Sequence, residues 1–412
     1  MAPEPVAALS PSRPTEHRAL ALQEPEGNTA VDRTIAELQR AATANPTKHD
    51  TWVLLGRAWV EKARLSGDPG HYHSANAAAE LALALEPQSA LALGLRGLVL
   101  LNDHRFRDAL ALAEGILARA PGDLVALGVR SDAALELGRM DEALTAAQRM
   151  LDEKPSLPSY ARAAHLRWLL GDPVAAKSLY RLAFDAGRGQ KDPEPTAWVL
   201  VQAADLFWNL GDVEGAVAGY ELALKQLPEY APALVGHGRA TLATAPHSAA
   251  RALATAMEKS PSVETAWLLS DAREAAGDLT GAQAAAVECV RLGRRLDGRT
   301  LARFFAAKKR DLGEAVQLVD RELADRPGGQ TLAVAAAVYW RVGRVAEALG
   351  FSEQARRTGV REASLLFHAG MIRLALGDAV SGRALVAEAL ALNPQFDRSE
   401  SAEARALLGA TP

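Results

Sequence analysis

Nine histidines and a single cysteine are the side chains of this 412-residue chain best placed for metal or nucleophilic chemistry. His71 and His73 stand two apart in the stretch Ser66–His73 and could offer two imidazoles to a metal. A third ligand is missing nearby, so the stretch reads as a solvated loop. His165, His237, His247 and His368 are scattered along the chain and form no local set. Cys289, alone, excludes an intrachain disulfide and a cysteine-based zinc site. Its setting, Ala-Ala-Ala-Val-Glu-Cys-Val, is that of a small packing residue on a helix. The sequence holds no Gly-x-Ser-x-Gly, no glycine-rich phosphate loop followed by lysine and no His-Glu-x-x-His. The carboxylates fall at turns and outer helix faces. The expectation is a chain with no catalytic residues, no metal site and no cofactor.

One charge cluster stands out. Arg291, Arg294, Arg295, Arg299, Arg303, Lys308, Lys309 and Arg310 lie within twenty residues, with Asp297 among them. Such a patch could hold an acidic peptide, a phosphorylated partner or nucleic acid, or form a solvated face. Phe304 and Phe305 are its only aromatic residues, too few for base stacking, and the net charge of −4 offers nothing global for nucleic acid. The basic residues are mostly arginine, as in a GC-rich, bacterial genome.

What must position these residues is a repeat. A small residue recurs at Ala75, Ala109, Ala143, Ala176, Ala216, Ala249, Ala282, Ala315, Ala348 and Gly382, at spacings of 33 or 34 residues with one of 40. Prolines keep the same time at Pro87, Pro121, Pro155, Pro228, Pro261, Pro327 and Pro394. In the first full unit Trp52, Leu55, Gly56 and Trp59 share one helix face, at about 100° per residue. Large residues flank a small one, so a partner helix can approach closely. Ala75, Ala79 and Ala82 keep the second helix thin, and Pro87 stops it. Gly-Asp pairs at 171–172, 211–212, 277–278 and 377–378 supply a left-handed C-cap and then an N-cap.

With these residues the chain resembles the tetratricopeptide repeat family over roughly residues 31–396. The unit at 197–230 shows the likeness best, in Leu200, Ala203, Ala204, Phe207, Gly211, Asp212, Ala216, Tyr220, Ala223 and Pro228. The resemblance implies an all-α, right-handed superhelical solenoid of about ten helix-turn-helix repeats. It also implies a groove, lined by first-helix positions that point away from the packing stripe. Here those positions hold His165 and Trp168; Trp198, Val201, Asp205, Trp208 and Asn209; Trp267 and Asp271; and Trp340 and Arg341. Partly exposed tryptophans are frequent recognition anchors, and Asp205 and Asn209 could satisfy a bound backbone. The alternative is that these rings pack against the next unit. The lysine, asparagine and arginine set by which some family members clamp a C-terminal carboxylate is not matched, since Val53, Arg57, Gly94 and Leu98 stand there.

Composition agrees with a helical array: 49% of residues are hydrophobic and only 5% aromatic. No run approaches the ~20 apolar residues that span a bilayer. Residues 1–29, rich in proline and alanine, read as a disordered tether without the n-region and apolar core of a signal peptide. Two sub-arrays, 30–190 and 191–396, are expected to meet at the polar loop Gly187–Pro195, followed by a capping helix and tail at 397–412. As written the chain is expected in the cytoplasm; the periplasm or cell envelope is the alternative if Met1 replaces a removed signal peptide or anchor. The function expected is a non-enzymatic scaffold or adaptor that holds a partner polypeptide in the groove. The alternative is a regulatory or assembly protein that self-associates or binds an acidic partner through the arginine patch.

Overall fold

A computed structural model describes residues 14–409, and every regular element among them is a helix. The chain divides into two compact units at Pro155/Ser156. The first holds α1 (Pro14–Ala21), α2 (Ala30–Ala44), α3 (His49–Ser66), α4 (His71–Leu85), α5 (Ala90–Asn102), α6 (Phe106–Leu117), α7 (Leu124–Glu136) and α8 (Met140–Glu153). The second begins with α9 (Leu157–Leu169), α10 (Pro173–Gly187), α11 (Glu194–Asn209), α12 (Val213–Gln226), α13 (Ala231–Thr241), α14 (Pro246–Lys259), α15 (Val263–Ala275) and α16 (Leu279–Leu296). It continues through α17 (Gly298–Lys308), α18 (Leu312–Asp325), α19 (Gly329–Arg341), α20 (Val345–Arg356), α21 (Ala363–Ala375), α22 (Ala379–Leu392) and α23 (Arg398–Leu408). From α3 to α22 the helices form ten successive pairs, each stacked on its neighbours within its unit: an all-α repeat solenoid.

The repeating small residue explains the pairing. All ten ruler positions are buried on second helices. At Gly56 a Cβ would lie 2.3 Å from Leu95 Cδ2 and 3.2 Å from the Ala75 carbonyl, so only glycine lets α3 approach α4 and α5 this closely. The Gly-Asp turns also work as the spacing predicts. Asp172, Asp212, Asp278 and Asp378 each accept the backbone N–H three residues on, at 2.8–3.1 Å. Each thereby satisfies one of the unpaired donors that begin a helix.

The tether expected over residues 1–29 is corrected from Pro14 onward; residues 1–13 lie outside the described residues. Residues 14–21 form α1, and Ala21 is wholly buried. The Ala21 carbonyl accepts from Trp59 Nε1 at 3.1 Å and Gln39 Nε2 at 3.2 Å. Lys62 Nζ donates to the Glu26 carbonyl at 2.6 Å while pairing with buried Asp32. Backbone carbonyls supply these anchors, so side-chain composition gave no sign of them. The loop between α3 and α4 is also shorter than expected, since α3 runs to Ser66 and α4 begins at His71. The boundary at 155/156 likewise replaces the one expected at the 187–195 loop: that loop joins α10 to α11 within one compact unit.

Inside the second unit the chain comes round on itself. Gly211, in the α11–α12 turn at φ +77°, sits where a Cβ would fall 1.9 Å from the carbonyl of Leu392 at the end of α22. Gly171, in the α9–α10 turn, faces the carbonyl of Gly359, between α20 and α21, in the same way. Asn393 Nδ2 donates to the Trp208 carbonyl at 2.8 Å. Trp168 packs against Ala355, Val360 and Leu365. The first two helix pairs of this unit thus touch its last two.

Candidate functional site

All the site residues expected from the sequence lie in the second unit, but the structure does not leave them as one open groove. Trp208 and Trp267 are buried, at 4% and 5% exposure, which corrects their placement as accessible anchors. Trp208 belongs to the core of its repeat with Tyr220 and Tyr230, and its carbonyl is taken by Asn393. Trp267 packs edge-on against Phe304 with the Arg303 guanidinium 5.6 Å from its ring. Trp168 is half-buried by the return contact with α20 and α21, with His165 5.6 Å away. Trp340 is half-buried, covered on one face by the Arg341 guanidinium at 3.8 Å. Only Trp198, on α11, keeps a substantially exposed ring, at 38%.

The polar residues beside these rings are also engaged. Asp205 accepts from Tyr220 Oη at 2.7 Å and pairs with Arg239, whose second arm reaches Glu264 at 3.3 Å. Burial pushes the Tyr220 phenol far above its ordinary value, so it stays a donor to Asp205. Asn209 Nδ2 donates to the Asp205 carbonyl at 2.9 Å. Asp205 and Asn209 therefore serve the fold rather than an absent backbone. The sequence missed this because Arg239 and Asp205 are 34 residues apart, on neighbouring first helices.

The arginine-rich cluster is divided by its partners. Arg291 pairs with Glu288 and Arg294 forks onto Glu314 at 2.8 Å, both on the outside. Arg295 is exposed and, with Arg291, holds the Glu288 carboxyl below its usual range. Arg299 donates to Thr331, and Arg310 pairs with the adjacent Asp311. Arg303, Lys308 and Lys309, like Arg341, act on residues of α23.

On α23, Glu403 receives both arms of Arg341, at 3.0 and 2.7 Å, and Lys309 Nζ at 3.1 Å. Glu400, 3% exposed, stands 2.7 Å from His368 Nε2. Lys308 Nζ reaches Ser399 Oγ at 3.1 Å while pairing with buried Asp271. Burial alone would raise both glutamates; His368, Arg303 and Arg341 around Glu400, and Arg341 and Lys309 around Glu403, more than offset it and hold both below the usual carboxylate range. First helices α17, α19 and α21 thus present one basic seat, with Asp271 of α15 behind Lys308, and a helix sits in it. Sequence reading named Arg303, Lys308, Lys309 and Arg341, but in two separate groups. Glu400 and Glu403 were missed; the reciprocal charge on the terminal helix was the available signal.

Cys289 is buried in the core of its repeats, where burial pushes its thiol up to about 12, so it is an inert packing residue. His71 stacks on Trp59 at 5.4 Å, while His73 is exposed. No group of three His, Cys, Asp or Glu suited to a metal occurs among the described residues. None of the described helices is long and apolar enough to cross a membrane.

The tetratricopeptide repeat family model matches residues 100–166. No curated protein matches the chain. Among solved structures, the human IFIT1 dimer with PPP-AAAA is similar at 14% identity and a TM-score of 0.49, over 92% of this chain and 94% of that one. A thermophilic tetratricopeptide repeat protein of Thermus thermophilus, TTC0263, is similar at 23% identity and a TM-score of 0.41, over 47% of this chain and 99% of that one. Yeast Tom70 is similar at 14% identity and a TM-score of 0.40, over 92% and 91%. The family match covers residues 100–166, and the 33- to 34-residue period, the stacked helix pairs and their buried small residues continue the same repeat pattern through the described helices.

Proposed function

We propose that this protein is a non-enzymatic scaffold whose second unit holds a partner polypeptide on its first-helix face. One observation carries the reading: that face already grips a helix, α23, through side chains contributed by several different repeats. A surface built to hold one helix by spaced ion pairs has the chemistry to hold another. Repeat arrays favour this use, because side chains from successive units form an extended surface. Trp198, the exposed indole on α11, provides an apolar anchor on the same unit.

The test is site-specific photo-cross-linking in the source cell, with the reactive residue at Trp198 or at Lys309. A single polypeptide, identified by mass spectrometry and binding saturably when purified, supports the reading. Failure of both positions to join any polypeptide overturns it.

A further inference from the structure

The last described helix, α23, packs on α22 and α21, but it is attached in a way a simple cover would not need. Of its apolar side chains only Ala404 is fully buried, and Leu407 and Leu408 are half-covered. Its polar side chains make the farther contacts. Ser399 reaches α17, Glu400 reaches α21, and Glu403 bridges the end of α19 and the residue after α17. The side chain of Arg341 is 7% exposed and that of Glu400 3%. A cation as covered as Arg341 is costly without a carboxylate beside it. Lifting α23 away would leave Arg341 and Lys309 without Glu403, so whatever replaces the helix must bring negative charge.

Resting on the scaffold reading above, we infer that this seat is a receptor for acidic helices and that α23 is its resident, self-inhibiting occupant. The partner is a helical segment of another polypeptide with two carboxylates three residues apart, the spacing of Glu400 and Glu403, which places both on one face. One carboxylate meets His368 at the covered end of the seat. The other is forked by Arg341 and touched by Lys309 at the open end, where Lys309 remains 56% exposed. A small neutral residue next to the second carboxylate, as Ala404 is here, fits the closed floor. Because α23 is tethered, its effective concentration is high, and a competing segment binds only to the fraction of molecules from which it has lifted.

The experiment uses the full chain and a fluorescein-labelled peptide of residues 397–408. Wild-type protein, its seat filled, is expected to bind the peptide weakly. Glu403→Lys sets a third positive charge beside Arg341 and Lys309, loosens α23 and should raise peptide affinity at least tenfold. Glu403→Gln, the milder variant for use if Glu403→Lys proves poorly helical, should give a smaller gain of the same sign. The peptide with lysine at both glutamate positions should not bind either variant. Equal peptide affinity in wild type and in a folded glutamate variant overturns the proposal, because α23 is then a fixed cover. A wild-type dimer that Glu403→Lys abolishes also overturns it, assigning the seat to a second copy. Cross-linking from Trp198 reads the scaffold function separately: a partner captured there with no peptide gain in the variants refutes the self-inhibition alone.

Discussion

Asn393 donates its side-chain amide to the backbone carbonyl of Trp208, 185 residues earlier, and both residues are buried. Its own Oδ1 accepts the N–H of Gln395, so the one amide holds the end of α22 and ties it to α11. Asn393→Ala leaves the Trp208 carbonyl buried without that donor, a loss of about 1–3 kcal/mol. Thermal melting should fall accordingly, and an unchanged melt would show that the second unit does not depend on this closure.

Two glycines, Gly370 and Gly115, should respond in opposite ways. At Gly370 a Cβ would lie 2.7 Å from Val386 Cγ2 and 2.8 Å from the Gly382 carbonyl, so Gly370→Leu overpacks the seam between α21 and α22. We expect a loss of ~1–3 kcal/mol or more in denaturant titration. Gly115 lies inside α6 with nothing within 4 Å of its Cβ position. Gly115→Ala should therefore stabilise by ~0.5–1 kcal/mol through backbone entropy.

Trp208 and Trp198 separate core from surface. Trp208→Ala should cost ~3–5 kcal/mol of stability, the price of an empty aromatic site. Trp198→Ala should stay within ~0.5 kcal/mol of wild type, as expected for a surface change. A Trp208→Ala melt matching wild type would return that ring to the accessible surface.

Asp397 caps α23, accepting the N–H groups of Ser399 at 2.9 Å and Glu400 at 2.8 Å. Burial first, then the nearby Glu400 and Asp271, push its carboxyl up to about 6, against the pull of the Glu400 N–H and Arg303. A raised carboxylate prefers to be protonated in the fold, so it contributes most below about pH 4 and progressively less as pH rises to 6. Asp397→Asn keeps the cap acceptor without the charge. The Tm of the variant relative to wild type should climb between pH 4 and 6 and level off above. A difference that falls over this window would reverse the assignment.

The repeat was legible because its markers are local. Ala75 and its counterparts, the Gly-Asp turns and the terminating prolines act within one helix pair, and the structure uses them as the spacing implies. The site was only half legible. Trp168, Trp208 and Trp340 all stand on first helices, yet Trp168 is covered by α20 and α21 more than 150 residues away, Trp208 by its own repeat's core and Arg239, and Trp340 by Arg341. No periodicity carries that information. The same holds for Lys308 and Lys309, whose partners Ser399 and Glu403 lie about ninety residues further on. Residues 14–29 escaped notice for a different reason, since several of their anchors, the Ala21 and Glu26 carbonyls among them, are main-chain groups that any residue type could provide.

Gly211 pressed on the Leu392 carbonyl, and Gly171 on that of Gly359, have a consequence for how this protein can evolve. An open solenoid tolerates duplication or loss of a repeat, because each unit meets only its neighbours. Here the count is locked. One more pair of about 33 residues inserted between α13 and α20 would carry both carbonyls away from the glycines that were shaped to receive them. Lineages of the second unit should therefore vary in surface residues and loop length while keeping the number of helix pairs fixed.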